Sequence, residues 1–280
     1  MAADKWGASR RHLGAELRRL REEGGKTLEE AAARLECSPA KVSRIETGHV
    51  AIRPIDVRAM LDLYGVSSAR RAALLTLVRQ SRESKGWWRE YADIIHQGYE
   101  FYISLEDQAA AIWDYQSFLV PGLLQTEAYT RAVMETYGIA PDRTERRIAL
   151  RKKRQTILTR DRPPNLHVVI EADALRRAVG DDDVMGDQFR HLLDMATRPN
   201  ISIQLISMEG IHPAEGRAFI MLGFPDPREP KVVYLEQLND SHLLHSQDQT
   251  AEYERVFKVL RSLAKSPDDS AAMIERLLGL

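Results

Sequence analysis

Residues 27–48, TLEEAAARLECSPAKVSRIETG, restrict what this 280-residue chain can fold into more than any other stretch. Thr27 can open a capping box, its hydroxyl accepting from the amide of Glu30 while the Glu30 carboxylate reaches back. Leu28, Ala31, Ala32 and Leu35 then share one helical face. Ser38 is a favoured N-cap, and Pro39 fits the first helical position, where a missing N–H costs nothing. Val42 and Ile45 face inward from the next helix, which stops before Gly48. Two short helices around a tight turn are therefore expected. Upstream, Leu13, Leu17 and Leu20 put an apolar stripe on a first helix ending near Gly24 and Gly25. Downstream, Pro54 opens a fourth helix with Val57, Met60, Leu61 and Tyr64, and residues 72–78 continue as a fifth.

A pair of helices like this suits double-stranded DNA. The second helix would point its positive end at a phosphate, with Thr27 adding a hydroxyl contact. The third would enter the major groove with its first residues nearest the base edges. Ser38 starts that helix, and its exposed positions are Pro39, Ala40, Lys41, Ser43 and Arg44. Arg44 is the candidate base reader, since a two-point contact to guanine is worth about 1–3 kcal/mol of discrimination. Lys41 suits a phosphate, whereas Pro39 and Ala40 offer apolar contact to a thymine methyl. Thr47, His49 and Arg53 follow and are placed to clamp the backbone, setting register without reading sequence.

The stretch LRRLREEGGKTLEEAAARLECSPAKVSRIETG resembles the helix-turn-helix domain of Xre or phage-repressor-type regulators. The matching features are Ala32 inside the second helix, Val42 and Ile45 in the third, and the closing Glu46-x-Gly48. The resemblance implies five helices with the third used for recognition. One departure is Glu36, which stands where the family turn carries glycine. A left-handed residue other than glycine costs about 1–2 kcal/mol, so a slightly different turn is expected. Further on, VPGLLQTEAYTRA, RRxxxRKKRQ, VVIEADALRR, FxxLGFPDP and VVYLEQ resemble the C-terminal domain of WhiJ-like, antitoxin-like regulators of actinobacteria. That resemblance implies a small partner protein encoded nearby, and it does not identify a ligand.

Beyond residue 80 the chain reads as a second domain. QSRESKG is polar, so the division expected is 1–79 for the helix-turn-helix domain, 80–89 for a linker and 90–280 for a regulatory and dimerisation domain. Residues 87–105 look helical and aromatic-rich, and 109–118 lean towards strand. Residues 126–137 and 141–159 read as helices, the latter strongly basic. Residues 166–170, 201–206, 218–224 and 232–235 are short apolar or alternating runs bounded by Pro, Gly and Asn, hence strands. A helix at 184–196 lies between the first two, and helices at 248–263 and 271–278 close the chain. The fold class expected is α+β overall, an all-α five-helix head followed by an α+β domain with a mostly antiparallel sheet.

Charge divides along the same line. Residues 1–90 hold eighteen Lys+Arg against twelve Asp+Glu, while the whole chain has a net charge of −1. A basic front on an acidic back suits a DNA-reading head on a different body. Hydrophobic residues make up 44% of the chain, enough for sizeable cores. The single cysteine, Cys37, rules out an intrachain disulfide and fits a reducing cytoplasm. No apolar run is long enough to span a membrane.

Other candidate sites carry weaker signals. The basic run 143–162 is expected to be mostly a solvated face, with Ile148, Ala149, Ile157 and Leu158 packed. His242 and His245 have metal-like spacing, with His212 and Glu236 as further ligands, yet no accompanying pattern supports a metal. Glu171 and Asp173 are better explained by a helix cap and a salt bridge than by acid–base chemistry. No catalytic residue, cofactor or enzymatic activity is expected. The reading is a cytoplasmic, homodimeric, sequence-specific transcriptional regulator on an inverted repeat. The alternative is an antitoxin-like factor that binds a small partner protein and autoregulates its operon.

Overall fold

The computed structural model describes all residues except 1–6, 47–51, 68–69, 72–74, 76–86, 208–210, 215, 226–230, 237–240, 245–246 and 280. The chain divides into two compact units, with the boundary in the continuous chain between Ser104 and Leu105.

The first unit contains α1 (Gly7–Glu23), α2 (Leu28–Arg34), α3 (Pro39–Glu46) and α4 (Pro54–Leu63). Its core joins Leu17 and Leu20 of α1, Ala31 and Ala32 of α2, Val42 and Ile45 of α3, and Val57, Met60 and Leu61 of α4. These are the residues whose helical spacing predicted an inward face. The fifth expected helix, 72–78, lies outside the described residues apart from the buried Leu75. The stretch expected as one helix over 87–105 is two pieces. A 3-10 turn, Trp87–Tyr91, is followed by a break and then by α5 (Gln97–Glu106).

The second unit is built on six strands. These are β1 (Ala111–Gln116), β2 (Asn165–Glu171), β3 (Ile201–Ile206), β4 (Phe219–Gly223), β5 (Val232–Glu236) and β6 (Ser241–Leu244). Their spatial order is β3-β2-β1-β4-β5-β6. The expectation of a mostly antiparallel sheet is corrected: the sheet is mixed. β1–β2 and β2–β3 run parallel, and β1–β4, β4–β5 and β5–β6 antiparallel. The cause lies in the connections. Between β1 and β2 run α6 (Glu127–Thr136) and α7 (Pro141–Gln155), and between β2 and β3 run α8 (Ala172–Arg176) and α9 (Asp182–Ala196). Helical crossovers of that length return the chain in the same direction, whereas the short links after β4 reverse it. β2 and β3 are accordingly buried almost throughout, as parallel strands covered on both faces should be.

On one face of the sheet, Tyr115, Val169, Ile206, Phe219, Met221 and Val233 pack against Phe257 and Leu260 of α10 (Gln247–Leu263). The last helix, α11 (Pro267–Leu277), packs with α9 beside β3. Local chemistry starts these helices. The side chains of Thr126, Asp181 and Ser266 accept from the amides of Tyr129, Val184 and Asp269.

Candidate nucleic-acid interface

The turn between α2 and α3 is set by hydrogen bonds within α2's last residues. The Cys37 amide donates to Ala32 O at 2.9 Å and the Glu36 amide to Ala33 O at 3.2 Å. That is a Schellman closure, which requires a left-handed residue between helix and exit. Glu36 supplies it at φ 51°, so the turn is the ordinary one with a side chain in a strained place rather than a different turn. Glu36→Gly is therefore expected to raise the stability of this unit by about 1 kcal/mol, read by chemical denaturation. Unchanged or lower stability would contradict the strain.

Beyond the turn, the Lys41 amide donates to the Ser38 hydroxyl at 3.3 Å, which makes Ser38 the cap of α3. The helix is two-sided. Val42, Ile45 and Glu46 are buried, Ser43 is half-buried, and Pro39, Ala40, Lys41 and Arg44 are exposed.

Two features seat α3 on α1. At Gly14 the helices approach so closely that a Cβ would stand 2.5 Å from the carbonyl oxygens of both Ile45 and Glu46. Only glycine permits that contact. One turn or two along α1, Arg21 Nε donates to Glu46 Oε1 at 2.8 Å and Nη2 to Oε2 at 3.0 Å. Arg21 Nη1 also donates to Lys26 O at 2.9 Å, which ties the pair to the start of α2. The hydrogen bond to Glu46 raises the pKa of the Arg21 guanidinium above its ordinary value, and the Glu46 side chain is only 3% exposed. Buried Tyr64 stands near it, its hydroxyl pushed up by burial and then by the Glu46 charge. Sequence spacing had marked Glu46 only as part of a family pattern, since nothing local pairs it with a residue 25 positions away.

The remaining expected contacts divide. Thr27 makes its capping box, accepting from Glu30 N at 3.1 Å while Glu30 Oε2 accepts from Thr27 N at 2.8 Å. Arg53 is exposed but held in a two-point pair with Asp56, 2.8 Å at each contact. Thr47 and His49 lie outside the described residues. Cys37 is half-buried and packs against the core of this unit.

In the second unit, several polar side chains are buried, among them Gln125, Arg154, Glu171 and Gln188. The VPGLLQ turn is held by amides: Gln188 Nε2 donates to Leu124 O at 2.7 Å, and its Oε1 accepts from Thr126 N at 2.8 Å. Gln155 donates to Gly122 O and Gln125 O at 3.2 and 2.7 Å, and Gln125 to Val120 O at 2.7 Å. The basic run is not simply a solvated face. Arg154 is buried in a two-point pair with Glu106, at 2.7 and 2.6 Å, and Arg151 donates to Gln125 and Thr130, while Ala149 is exposed. The helix stops at Gln155, before Arg160 and Arg162.

Glu171 and Asp173 also part company. Asp173 pairs with Arg176 at 3.2 Å, as expected of a surface salt bridge, but the Glu171 carboxylate makes no cap. Instead Tyr115 donates its hydroxyl to Glu171 Oε1, and His212 Nε2 lies 3.4 Å from the same oxygen. Tyr115 is held far from ionisation by burial and then by Glu171. His212 is thus committed to this buried cluster. His242 pairs with Leu235 across β5 and β6, and His245 lies outside the described residues. Among the described residues no group of three or more His, Cys, Asp or Glu side chains gathers to hold a metal, and no described helix is long and apolar enough to cross a membrane.

Comparison with known proteins agrees with this two-part architecture. Residues 12–74 match the model of a helix-turn-helix domain, the fold of DNA-binding regulators, and cover α1 to α4. No curated protein and no solved structure matches the chain. Residues 99–276 match the model of a domain of unknown function (DUF5753), which takes in the whole mixed sheet and its helices. The chain therefore belongs to the DUF5753 family, as a member that carries a helix-turn-helix domain ahead of it.

Proposed function

We propose that this protein is a sequence-specific transcriptional regulator that reads an inverted repeat as a homodimer, using α3 as its reading helix. The supporting observation is the two-sidedness of α3. Its buried side is seated on α1 through Gly14 and the Arg21–Glu46 pair, while Lys41 and Arg44 stand exposed along the other side. A seat fixed at that many points presents base-reading groups at a defined angle, which recognition in the major groove requires. Two heads would engage half-sites about 34 Å apart or a multiple of it.

The DUF5753 domain, in this reading, is a non-enzymatic, cytoplasmic regulatory body that dimerises the chain and receives a partner. Binding of that partner would change which spacing of the heads is populated.

Selection of duplexes from a random pool, followed by footprinting, should return a short repeated site. Arg44→Ala is expected to lose about 1–3 kcal/mol of preference at one base pair per half-site, with other positions unaffected. Equal binding of all sequences by both proteins would end the reading. A stoichiometric complex with a small protein that persists after DNA removal would instead favour the antitoxin-like alternative.

A further inference from the structure

The cations of the first unit are of two kinds. Lys41 and Arg44, on the reading helix, form no ion pair with the described residues. The groups flanking that helix are already engaged. Asp56 holds the Arg53 guanidinium through Nε and Nη2, each at 2.8 Å. The hydrogen bond from Arg53 lowers the Asp56 carboxyl's pKa, and the Lys41 charge adds a smaller push in the same direction. Glu30 takes up the Thr27 N–H at 2.8 Å and the Lys26 ammonium at 3.3 Å. Asp56 sits three residues after Arg53, and Glu30 three after Thr27 and four after Lys26, so each pairing is local.

We propose that Asp56 and Glu30 are internal competitors of DNA phosphate, which hold down the sequence-independent part of the head's affinity and leave its base reading untouched. The inference rests on the DNA-reading function proposed above. A carboxylate presents two oxygens to a guanidinium much as a phosphate does, so a phosphate can take the Nε–Nη2 edge of Arg53 only by displacing Asp56, whose charge also opposes a phosphate on the remaining edge. Sequence-independent binding consists almost wholly of such phosphate contacts, whereas Arg44 meets no such competitor. A head built this way dissociates readily from arbitrary duplex and depends on its base contacts and on a second head for occupancy.

Asp56→Asn and Glu30→Gln keep side-chain size and a neutral acceptor, and thermal melting confirms that each variant folds. Affinity for a selected duplex and for a random-sequence duplex is measured across a salt series. For Asp56→Asn both affinities should rise together, roughly three- to tenfold near 0.1 M salt, and the logarithmic salt slope should steepen by about one. Glu30→Gln should do the same to a smaller extent. Preference between the two duplexes should not change, in contrast to Arg44→Ala. Adding Arg53→Ala to Asp56→Asn should abolish that variant's gain, since the released group is then missing. Unchanged affinity and slope in Asp56→Asn, or a gain that persists without Arg53, overturns the inference. Failure of wild type and variants alike to bind any duplex ends the DNA-reading function itself, which is a different outcome.

Discussion

Replacing Glu46 with alanine is expected to cost the helix-turn-helix unit about 3–5 kcal/mol, because it leaves the Arg21 guanidinium without the carboxylate that its Nε and Nη2 face. The Glu46 side chain is 3% exposed and that of Arg21 11%, so water cannot take over the role cheaply. The loss should be readable as a separate early transition in chemical denaturation, with the DUF5753 unit unfolding as before, and DNA binding should fall with it. Glu46→Gln keeps the volume and one acceptor and should lose less. An apolar pair, Arg21→Met with Glu46→Leu, should recover much of the stability, since a buried ion pair is worth little against packed hydrocarbon of similar volume. Whether this double variant still reads DNA separates two roles of the pair. Recovered stability with normal site preference would mean that the pair only holds the unit together. Recovered stability with altered preference would mean that it also aims α3.

The second large effect is expected in the other unit. Glu106→Ala removes the carboxylate that meets Arg154 at 2.7 and 2.6 Å, with side-chain exposures of 1% and 4%. A loss of about 3–5 kcal/mol is expected, measured by denaturation of the DUF5753 unit. Its pH dependence identifies the neighbour. Asp114 lies buried on β1, its carboxyl pushed up to about 7 by burial first, against a hydrogen bond from Gln116, and then further by Glu106. A carboxyl whose folded value lies above its unfolded one binds protons more tightly in the native state. Wild-type stability should therefore fall as pH rises from about 4 towards 7. Without Glu106 that upward push is reduced and Asp114 can ionise beside Arg154, so the variant should fall less over the same range. The penalty of Glu106→Ala should thus shrink as pH rises. A penalty independent of pH would place Asp114 outside the pair's electrostatic reach.

Both predictions concern partners far apart in sequence, and that distinction accounts for what could be read in advance. The capping box at Thr27, the Ser38 cap and the inward face of Val42 and Ile45 each depend on residues within a few positions of one another. They were legible because helical geometry alone brings such residues together. The expected strands between 166 and 235 appear for the same reason, since alternation and bounding turn residues are local signals. Glu36 was legible as an irregularity but not in its outcome. The departure from glycine was visible, and only the folded structure shows that the Schellman closure prevails over the strain.

β6 and the direction of the strands were not legible. Ser241–Leu244 is a four-residue run containing a histidine, too short to show a period. Parallel pairing of β1, β2 and β3 depends on helices that pass between strands, so a mostly antiparallel sheet was the wrong inference from short apolar runs. The fate of the polar residues was hidden as well. Glu171 beside Asp173 is expected from sequence to serve a helix cap or salt bridge, yet its carboxylate instead accepts from Tyr115, 56 positions away. Arg154 looked like one more charge on a basic helix, until burial against Glu106 made it part of the interior.

By itself, then, the sequence determined the helix-turn-helix head, its capped ends and the side of α3 that carries Lys41 and Arg44, because each rests on interactions within one or two helical turns. Only the tertiary structure decided how that helix is seated, which way the strands run, and which charges are buried in pairs or held by Asp56 and Glu30. Those outcomes depend on which surfaces the folded chain brings into contact, and a one-dimensional pattern of residues does not contain the distances on which burial and charge pairing depend.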